Sequence, residues 1–173
     1  MLEDEPEDRK DFRELSVYQK AIEIVYLVDK ISFVLDEEIQ NYPECTELEL
    51  AKLHLDYIVS NAHIIPVKIA GASGVDLYDL RMENATIIRR AAREILVDCT
   101  GLKLTEMKLS VDYLQLLRDE IELFRIEFAE WVKTFNELDY IIDRWGLFNP
   151  SGVNYDDYDP DDDIPFNPNN EIE

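Results

Sequence analysis

The sequence is poor in the residues that mark turn-rich or disulfide-bonded proteins. Its 173 residues include only five glycines, seven prolines and two cysteines. So few glycines and prolines disfavour an all-β fold, which needs frequent turns, and favour long helices. Two cysteines are too few for a disulfide framework, so we expect a reducing compartment and predict a cytoplasmic protein.

Long apolar runs and a basic N-terminal leader are also missing. No apolar run approaches the roughly 18 residues of a membrane span. The N-terminus is acidic, whereas a secretory signal peptide starts with basic residues before an apolar stretch. The sequence therefore predicts a soluble protein without a membrane segment.

Basic residues are strongly outnumbered. The chain has 17 Lys and Arg against 39 Asp and Glu, which gives a net charge of −22. The excess lies largely at the ends: residues 1–14 carry −4 and residues 149–173 carry −8, which leaves −10 for the 134 residues between them. This charge repels nucleic-acid phosphates and anionic membranes, and it favours basic partners.

Residue patterns typical of catalysis or metal binding are absent as well. A bundle di-metal site uses Glu-x-x-His pairs, but alanine and serine stand three residues before His54 and His63. Cys45 and Cys99 have no neighbouring activator, and there is no phosphate-binding glycine loop or zinc spacing. We therefore predict no enzyme, no catalytic residue, no metal and no cofactor.

The regular feature of the chain is a set of four apolar stripes. Apolar residues recur at alternating steps of three and four, the spacing of one helical face. The first three stripes are Val17, Ala21, Ile24, Val28, Ile31 and Leu35; Ala51, Leu55, Ile58, Ala62, Ile65 and Ile69; and Ala85, Ile88, Ala92, Ile95 and Cys99. The fourth runs from Leu114 to Trp145 and predicts the longest helix, about 48 Å, projecting past its neighbours. Together they predict an all-α, up-down-up-down four-helix bundle with a long fourth helix.

Sequence signals also predict where the helices begin and end. Capping boxes at Ser16–Gln19 and Thr46–Glu49 indicate two starts. The turn at 71–74, Gly101 and Gly146 indicate ends. The predicted organisation is an acidic arm over 1–14, the bundle over 15–148, and an acidic tail rich in Asn, Asp and Pro over 149–173.

Two groups of residues are candidates for partner contact. The basic candidates for phosphate or partner binding are Arg89, Arg90, Arg93 and Lys103. The tail candidates are Tyr155, Asp157, Tyr158, Asp161 and Phe166, because acids and aromatics together can imitate the charge and stacking of nucleic acid. The alternatives are pairing of the arginines with Glu83, Glu94 and acids of neighbouring helices or subunits, and a solvated, disordered tail.

The opening of the first helix resembles a known family. Phe12 to Ala21, which reads FRELSVYQKA, resembles the Phe-x-x-Leu-x-Val-Trp-Gln-x-Ala opening of the 23S rRNA intervening-sequence proteins. Their superfamily includes the accessory variability determinant (Avd) of diversity-generating retroelements. Ile65 to Gly71 looks like the family's Ile-Pro-x-x-Ile-Ala-Glu-Gly segment, with Val67-Lys68 for Ser-Asn and Gly71 for Glu.

The resemblance implies a homopentameric four-helix-bundle barrel without known catalysis. For Avd it also implies binding to a reverse transcriptase and to nucleic acid. The expected function is therefore a non-catalytic scaffold that binds a basic partner, such as a retroelement reverse transcriptase with its RNA. The net charge disfavours direct nucleic-acid binding. The alternative is an acidic regulator whose tail mimics nucleic acid and occupies a basic surface of its partner.

Overall fold

The computed structural model describes residues 11–158, and these residues form helices without a strand. A short 3-10 helix, Phe12–Glu14, precedes α1 (Ser16–Gln40), α2 (Thr46–Ser73), α3 (Tyr78–Leu104) and α4 (Val111–Val132). The prediction of an all-α protein with four main helices is confirmed. No helix in the described part is both long and apolar enough to cross a membrane.

The first three predicted stripes form the core. Every stripe residue in α1, α2 and α3 is buried, including Ile24, Ile58 and Ile88. Burial of a side chain of this size stabilises the fold by about 1.5–3 kcal/mol each. In α4, Leu114, Leu117, Ile121, Phe124 and Trp131 are buried in the same core. The stripes are therefore the inner faces of the helices.

The prediction of a long fourth helix is wrong. At 22 residues α4 is the shortest of the four, and it ends at Val132 rather than Trp145. Phe135 is still buried, but Leu138 is 85% exposed and Trp145 90% exposed. The apolar spacing therefore continues beyond the helix into residues with a different backbone.

A tighter turn follows Val132. In it the Thr134 N–H donates to the Trp131 carbonyl at 3.0 Å and the Phe135 N–H donates to the Val132 carbonyl at 3.2 Å. The side-chain oxygen of Asn136 accepts the Leu138 N–H at 3.1 Å, as in a turn. Such local bonds compete with the helical pattern, and here they replace it.

The predicted helix starts at Ser16 and Thr46 are confirmed, but the capping-box hydrogen bonds are not formed. Leu15, without a side-chain bond, is the N-cap of α1, and the Ser16 hydroxyl donates instead to the Glu127 carboxylate at 2.6 Å. Cys45 occupies the N-cap of α2, again without a side-chain bond. The Ser16 hydroxyl therefore links α1 to α4 instead of closing its own helix.

The predicted helix end at 71–74 is confirmed, since α2 ends at Ser73 with Gly74 as its C-cap. Two other glycines differ from their predicted role as helix ends. Gly101 lies inside α3, which continues to Leu104. Gly146 lies beyond α4, in a turn with φ of +71°, a conformation that favours glycine. A side chain at Gly101 would collide with the His54 ring of α2.

The helix pairs are unequally packed. The most extensive contact is between α2 and α3, and the least extensive among neighbouring pairs is between α3 and α4. The pairs α1/α3 and α2/α4 share no close backbone contact, so they lie diagonally across the bundle. The loose α3/α4 pair leaves an opening at the surface.

The connection between α3 and α4 is fastened to the first two helices. Glu38 at the end of α1 accepts the Ser110 N–H at 2.8 Å, and the Tyr42 hydroxyl accepts the Lys108 N–H at 2.7 Å. Glu47 accepts the Glu106 N–H. These bonds fix the start of α4 against the end of α1.

The chain after α4 folds back on the start of α3. The Asp139 carbonyl accepts the Tyr78 N–H at 2.6 Å, and the Asp79 carboxylate accepts the Ile141 N–H at 3.1 Å. The Arg81 guanidinium lies 4.9 Å from the centre of the Phe135 ring. The predicted boundaries after residues 14 and 148 stay predictions, and residues 1–10 and 159–173 lie outside the described range.

Candidate partner-binding surface

An apolar groove of about 420 Å³ separates α3 from α4. Its floor includes Ala92 and Leu96 of α3 and Phe124, Phe128 and Val132 of α4. The Phe124 and Phe128 rings lie 6.0 Å apart, tilted by 32°. Because Ala92 is small, α3 does not fill the space beside these rings, and the groove stays open.

Basic side chains border the groove. Arg89 and Arg93, one turn apart on α3, line one edge, and Arg125 of α4 also lines it. Arg125 pairs with Glu122 at 2.8 Å. Arg89 and Arg93 are exposed, and neither makes an ion pair or hydrogen bond with any residue of the described range. The apolar floor therefore lies beside two uncompensated positive charges.

Two of the four predicted basic residues lie away from this groove. Arg90 donates to Glu94 at 2.7 Å, and this hydrogen bond raises the pKa of Arg90 and lowers that of Glu94. Lys103, about 15 Å further along α3, donates to Gln115 at 3.0 Å. Local pairing with Glu94 is thus observed for Arg90, while Arg89 and Arg93 meet at the groove edge.

The described tail candidates belong to a hydrogen-bonded turn. The Arg144 guanidinium donates to the Tyr155 carbonyl at 2.9 Å and to the Asp157 carbonyl at 2.8 Å. The Asp157 carboxylate accepts the Asn154 N–H at 2.8 Å, while the Tyr155 and Tyr158 side chains are exposed. The other two tail candidates, Asp161 and Phe166, lie outside the described residues.

A second turn displays an exposed indole. The Asp143 carboxylate accepts the N–H groups of Trp145 at 2.9 Å, Leu147 at 2.8 Å and Phe148 at 3.0 Å. These bonds to the charged form lower the pKa of Asp143. The turn holds Trp145 in solvent, where it can contact another protein.

Sequence reasoning missed a second apolar stripe, on the outer face of α2. Five apolar side chains there are between 39% and 67% exposed: Leu50, Leu53, Tyr57, Ile64 and Val67. Their steps of three, four, seven and three put them on one face, about 150° around the helix from the buried stripe. The same spacing can be seen in the sequence, where Ser60 is the single polar residue within this stripe.

The outer face of α4 repeats this feature. Tyr113, Leu116, Leu123 and Ile126 are between 45% and 51% exposed and are spaced by three, seven and three residues. Asp119 and Glu120 separate the two pairs on this face, so each pair is a smaller candidate for contact with another protein.

The titratable pair inside the bundle links α2 to α3. His54 Nδ1 lies 2.8 Å from the carboxylate of buried Asp98. The nearby Thr100 hydroxyl donates to the Leu96 carbonyl, so it is engaged in its own helix. Among the described residues, no three His, Cys, Asp or Glu side chains cluster to hold a metal. Burial raises the pKa of the Cys99 thiol to about 11, which keeps it protonated.

The chain was compared with protein-family models, with curated proteins and with solved structures, and no match was found in any of the three. The function is therefore inferred from the surfaces of the chain itself.

Proposed function

We propose that this chain is a non-catalytic accessory scaffold that assembles into a ring of five identical subunits and binds a basic protein partner. The observation that carries the proposal is the outer stripe of α2, defined by Leu50, Leu53, Tyr57, Ile64 and Val67. A helix that is apolar on two opposite faces has one face for its own core and one for a neighbouring subunit.

The energetics favour covering this stripe. Removing apolar surface from water is worth roughly 25 cal/mol per Å². A stable interface buries on the order of 800 Å² on each partner. The outer faces of α2 and α4 both offer such surface, and a ring needs two different contact patches on every subunit. Two outer stripes per chain therefore fit a closed ring.

The match at the start of α1 supports the Avd-like form of this proposal. The Phe12 ring meets Tyr18 edge-on, with centroids 5.0 Å apart. Val17 and Ala21 are buried, and Leu15 packs against the core. The matched residues thus form one folded unit that begins the bundle. An up-down-up-down arrangement and a pentamer are the corresponding proposals for topology and assembly.

The proposed partner is basic because the chain is acidic. A net charge of −22 per subunit, repeated around a ring, attracts cationic surfaces over long range. A retroelement reverse transcriptase carrying its RNA is the partner that the Avd-like proposal names. The protein partner, rather than this chain, would supply the direct contacts to nucleic acid.

The assembly is tested by native mass spectrometry and light scattering of the full chain. We expect a mass about five times the 20.3 kDa of one chain. The double variant Leu53→Ser/Tyr57→Ser should fall to a monomer, whereas Leu138→Ser, at an exposed apolar position beyond α4, should keep the wild-type mass. A monomeric wild type at micromolar concentration would refute the ring.

The acidic regulator remains the second candidate, because Tyr155 and Tyr158 project into solvent beside Asp156 and Asp157. Two variants distinguish the regulator from the scaffold. One is Tyr155→Ser/Tyr158→Ser, and the other is truncated after Tyr158. If the scaffold proposal holds, both keep the ring and most binding of a basic partner. If the tail is the functional element, the partner is lost while the mass of the assembly is unchanged.

A further inference from the structure

The α3/α4 groove combines an apolar floor with an edge of unpaired positive charge. Arg89 and Arg93 make no polar contact with the described residues, although acids outnumber bases by 39 to 17 in the chain. Arg90, next to Arg89 in the sequence, is matched by Glu94, whereas Arg89 and Arg93 leave their charge beside the apolar floor. The ligand that fits is therefore an acidic segment followed by apolar side chains.

The chain contains one such segment outside the described residues. Residues 159–173 carry six acids and no base, and they include Asp161-Asp162-Asp163 followed directly by Ile164-Pro165-Phe166. In an extended segment, Ile164 and Phe166 point to the same side, because side chains alternate. Pro165 favours that extended form at Ile164. Two apolar side chains on one side, preceded by three carboxylates, complement the groove.

Chain length allows the contact. Asp139 and Ile141 are bonded to Tyr78 and Asp79 at the start of α3. Arg144, three residues after Ile141, donates to the Asp157 carbonyl and so keeps the end of the described chain close to this point. From Tyr78 to Arg89 along α3 is about 17 Å. The eight residues 159–166 span up to about 26 Å when extended. The groove is therefore within reach of Ile164 and Phe166 of the same chain.

We infer that the segment 161–166 of this chain docks in its own α3/α4 groove, with Ile164 and Phe166 on the apolar floor and Asp161–Asp163 against Arg89 and Arg93. The inference does not depend on the ring, since one subunit supplies both the groove and its occupant.

The test compares methyl NMR spectra of the full chain with those of Ile164→Ser/Phe166→Ser. We expect chemical-shift changes at the groove methyls of Leu96, Ile121 and Val132, with core methyls such as Ile24 unchanged. The matched control Ile172→Ser, in the same terminal segment, should leave the groove methyls as in the wild type. Identical groove methyls in the wild type and the double variant would overturn the inference.

Two further measurements identify the occupant. Arg89→Gln/Arg93→Gln, which changes two exposed positions, should move the chemical shifts of the same methyl groups as the tail variant. Unchanged shifts would show that the two arginines do not hold the segment. Methyl-labelled Ile164→Ser/Phe166→Ser is then mixed and refolded with unlabelled wild-type chain. Groove signals that stay at their variant positions support docking within one chain. Signals that return to wild-type positions would show that a second copy supplies the segment, against the inference.

Discussion

The two sides of α3 differ in how closely a neighbouring helix approaches. On the side of α2, Gly101 lies directly against the His54 ring, and a Cβ added there would come within 2.4 Å of the ring nitrogen. On the side of α4, Phe124 and Phe128 face Ala92 across an open groove. Both interfaces use apolar and small residues, so apolar content alone does not set the separation. The distance between helices follows the size of the side chains at each contact.

The largest effect is expected at the bond that closes the α2/α3 side. His54→Ala leaves the buried Asp98 carboxylate without its partner, which should lower the free energy of unfolding by about 2–3 kcal/mol. Urea unfolding measures it. His63→Ala is the control, because His63 is exposed and lies 3.6 Å from an exposed Asp29. The loss of unfolding free energy caused by Asp98→Ala is then measured in the wild type and in His54→Ala. Equal losses in the two backgrounds would show that the two residues are not coupled.

A smaller loss is expected for Gly101→Ala. The new methyl group would displace His54, at a cost of about 1–3 kcal/mol for overpacking, of which about 1 kcal/mol is offset by the better helix propensity of alanine. Gly74→Ala is the matched control, since a Cβ there meets only ordinary contacts at 3.6 Å. Equal unfolding midpoints for the two variants would mean that α2 and α3 are not in tight contact at Gly101.

The α3/α4 side should tolerate added volume. Ala129→Leu places new methyl groups in the groove, where they can displace the docked segment but meet no neighbouring helix. It should therefore change the free energy of unfolding by less than about 0.5 kcal/mol. Ala62→Leu, in the buried α2 stripe, should cost about 1–3 kcal/mol. A similar loss for both variants would contradict the contrast between the two sides of α3.

At neutral pH the smallest effect is expected for the cysteine thiols, because their contribution changes only at high pH. Burial raises the pKa of Cys99 to about 11 from an ordinary value near 9.0, so the unfolded chain ionises this thiol first. Its contribution to stability is therefore complete below pH 9 and is lost as pH rises towards 11. The difference in unfolding free energy between wild type and Cys99→Ala should decrease over this window. A thiol reagent at pH 8 should label exposed Cys45 and leave Cys99 unmodified in the folded protein.

The inner faces of the helices could be predicted from the sequence because burial selects a strict period. Every predicted stripe residue of the first three helices is buried. The apolar spacing of three and four residues gave a wrong prediction after Val132. The spacing shows which side chains are apolar, but it does not show whether the backbone stays helical. Thr134, Asn136 and Asp139 were the contrary signals, and Asn136 does bond Asp139 at 2.7 Å. Short polar side chains deserve more weight than a continued apolar period.

The candidate surface was only partly predictable. The arginine cluster was visible in the sequence, and Arg89 and Arg93 are on one face as expected from their spacing. The groove beside them was not visible, because it depends on how far α4 stands from α3. The outer stripe of α2 was visible in principle, since Leu50, Tyr57 and Ile64 recur every seven residues. A search for one stripe per helix overlooks a helix with two.

The hydrogen bond from Tyr78 to the Asp139 carbonyl has a consequence for synthesis of the chain. The start of α3 has no side-chain cap, and its first N–H is satisfied by a residue 61 positions later. A ribosome releases the chain from the N-terminus, so α2 and α3 can pair well before Asp139 emerges. Until then the first turn of α3 frays, and the helix pair is left open at that end. The start of α3 is therefore completed only after the residues that follow α4 have been synthesised.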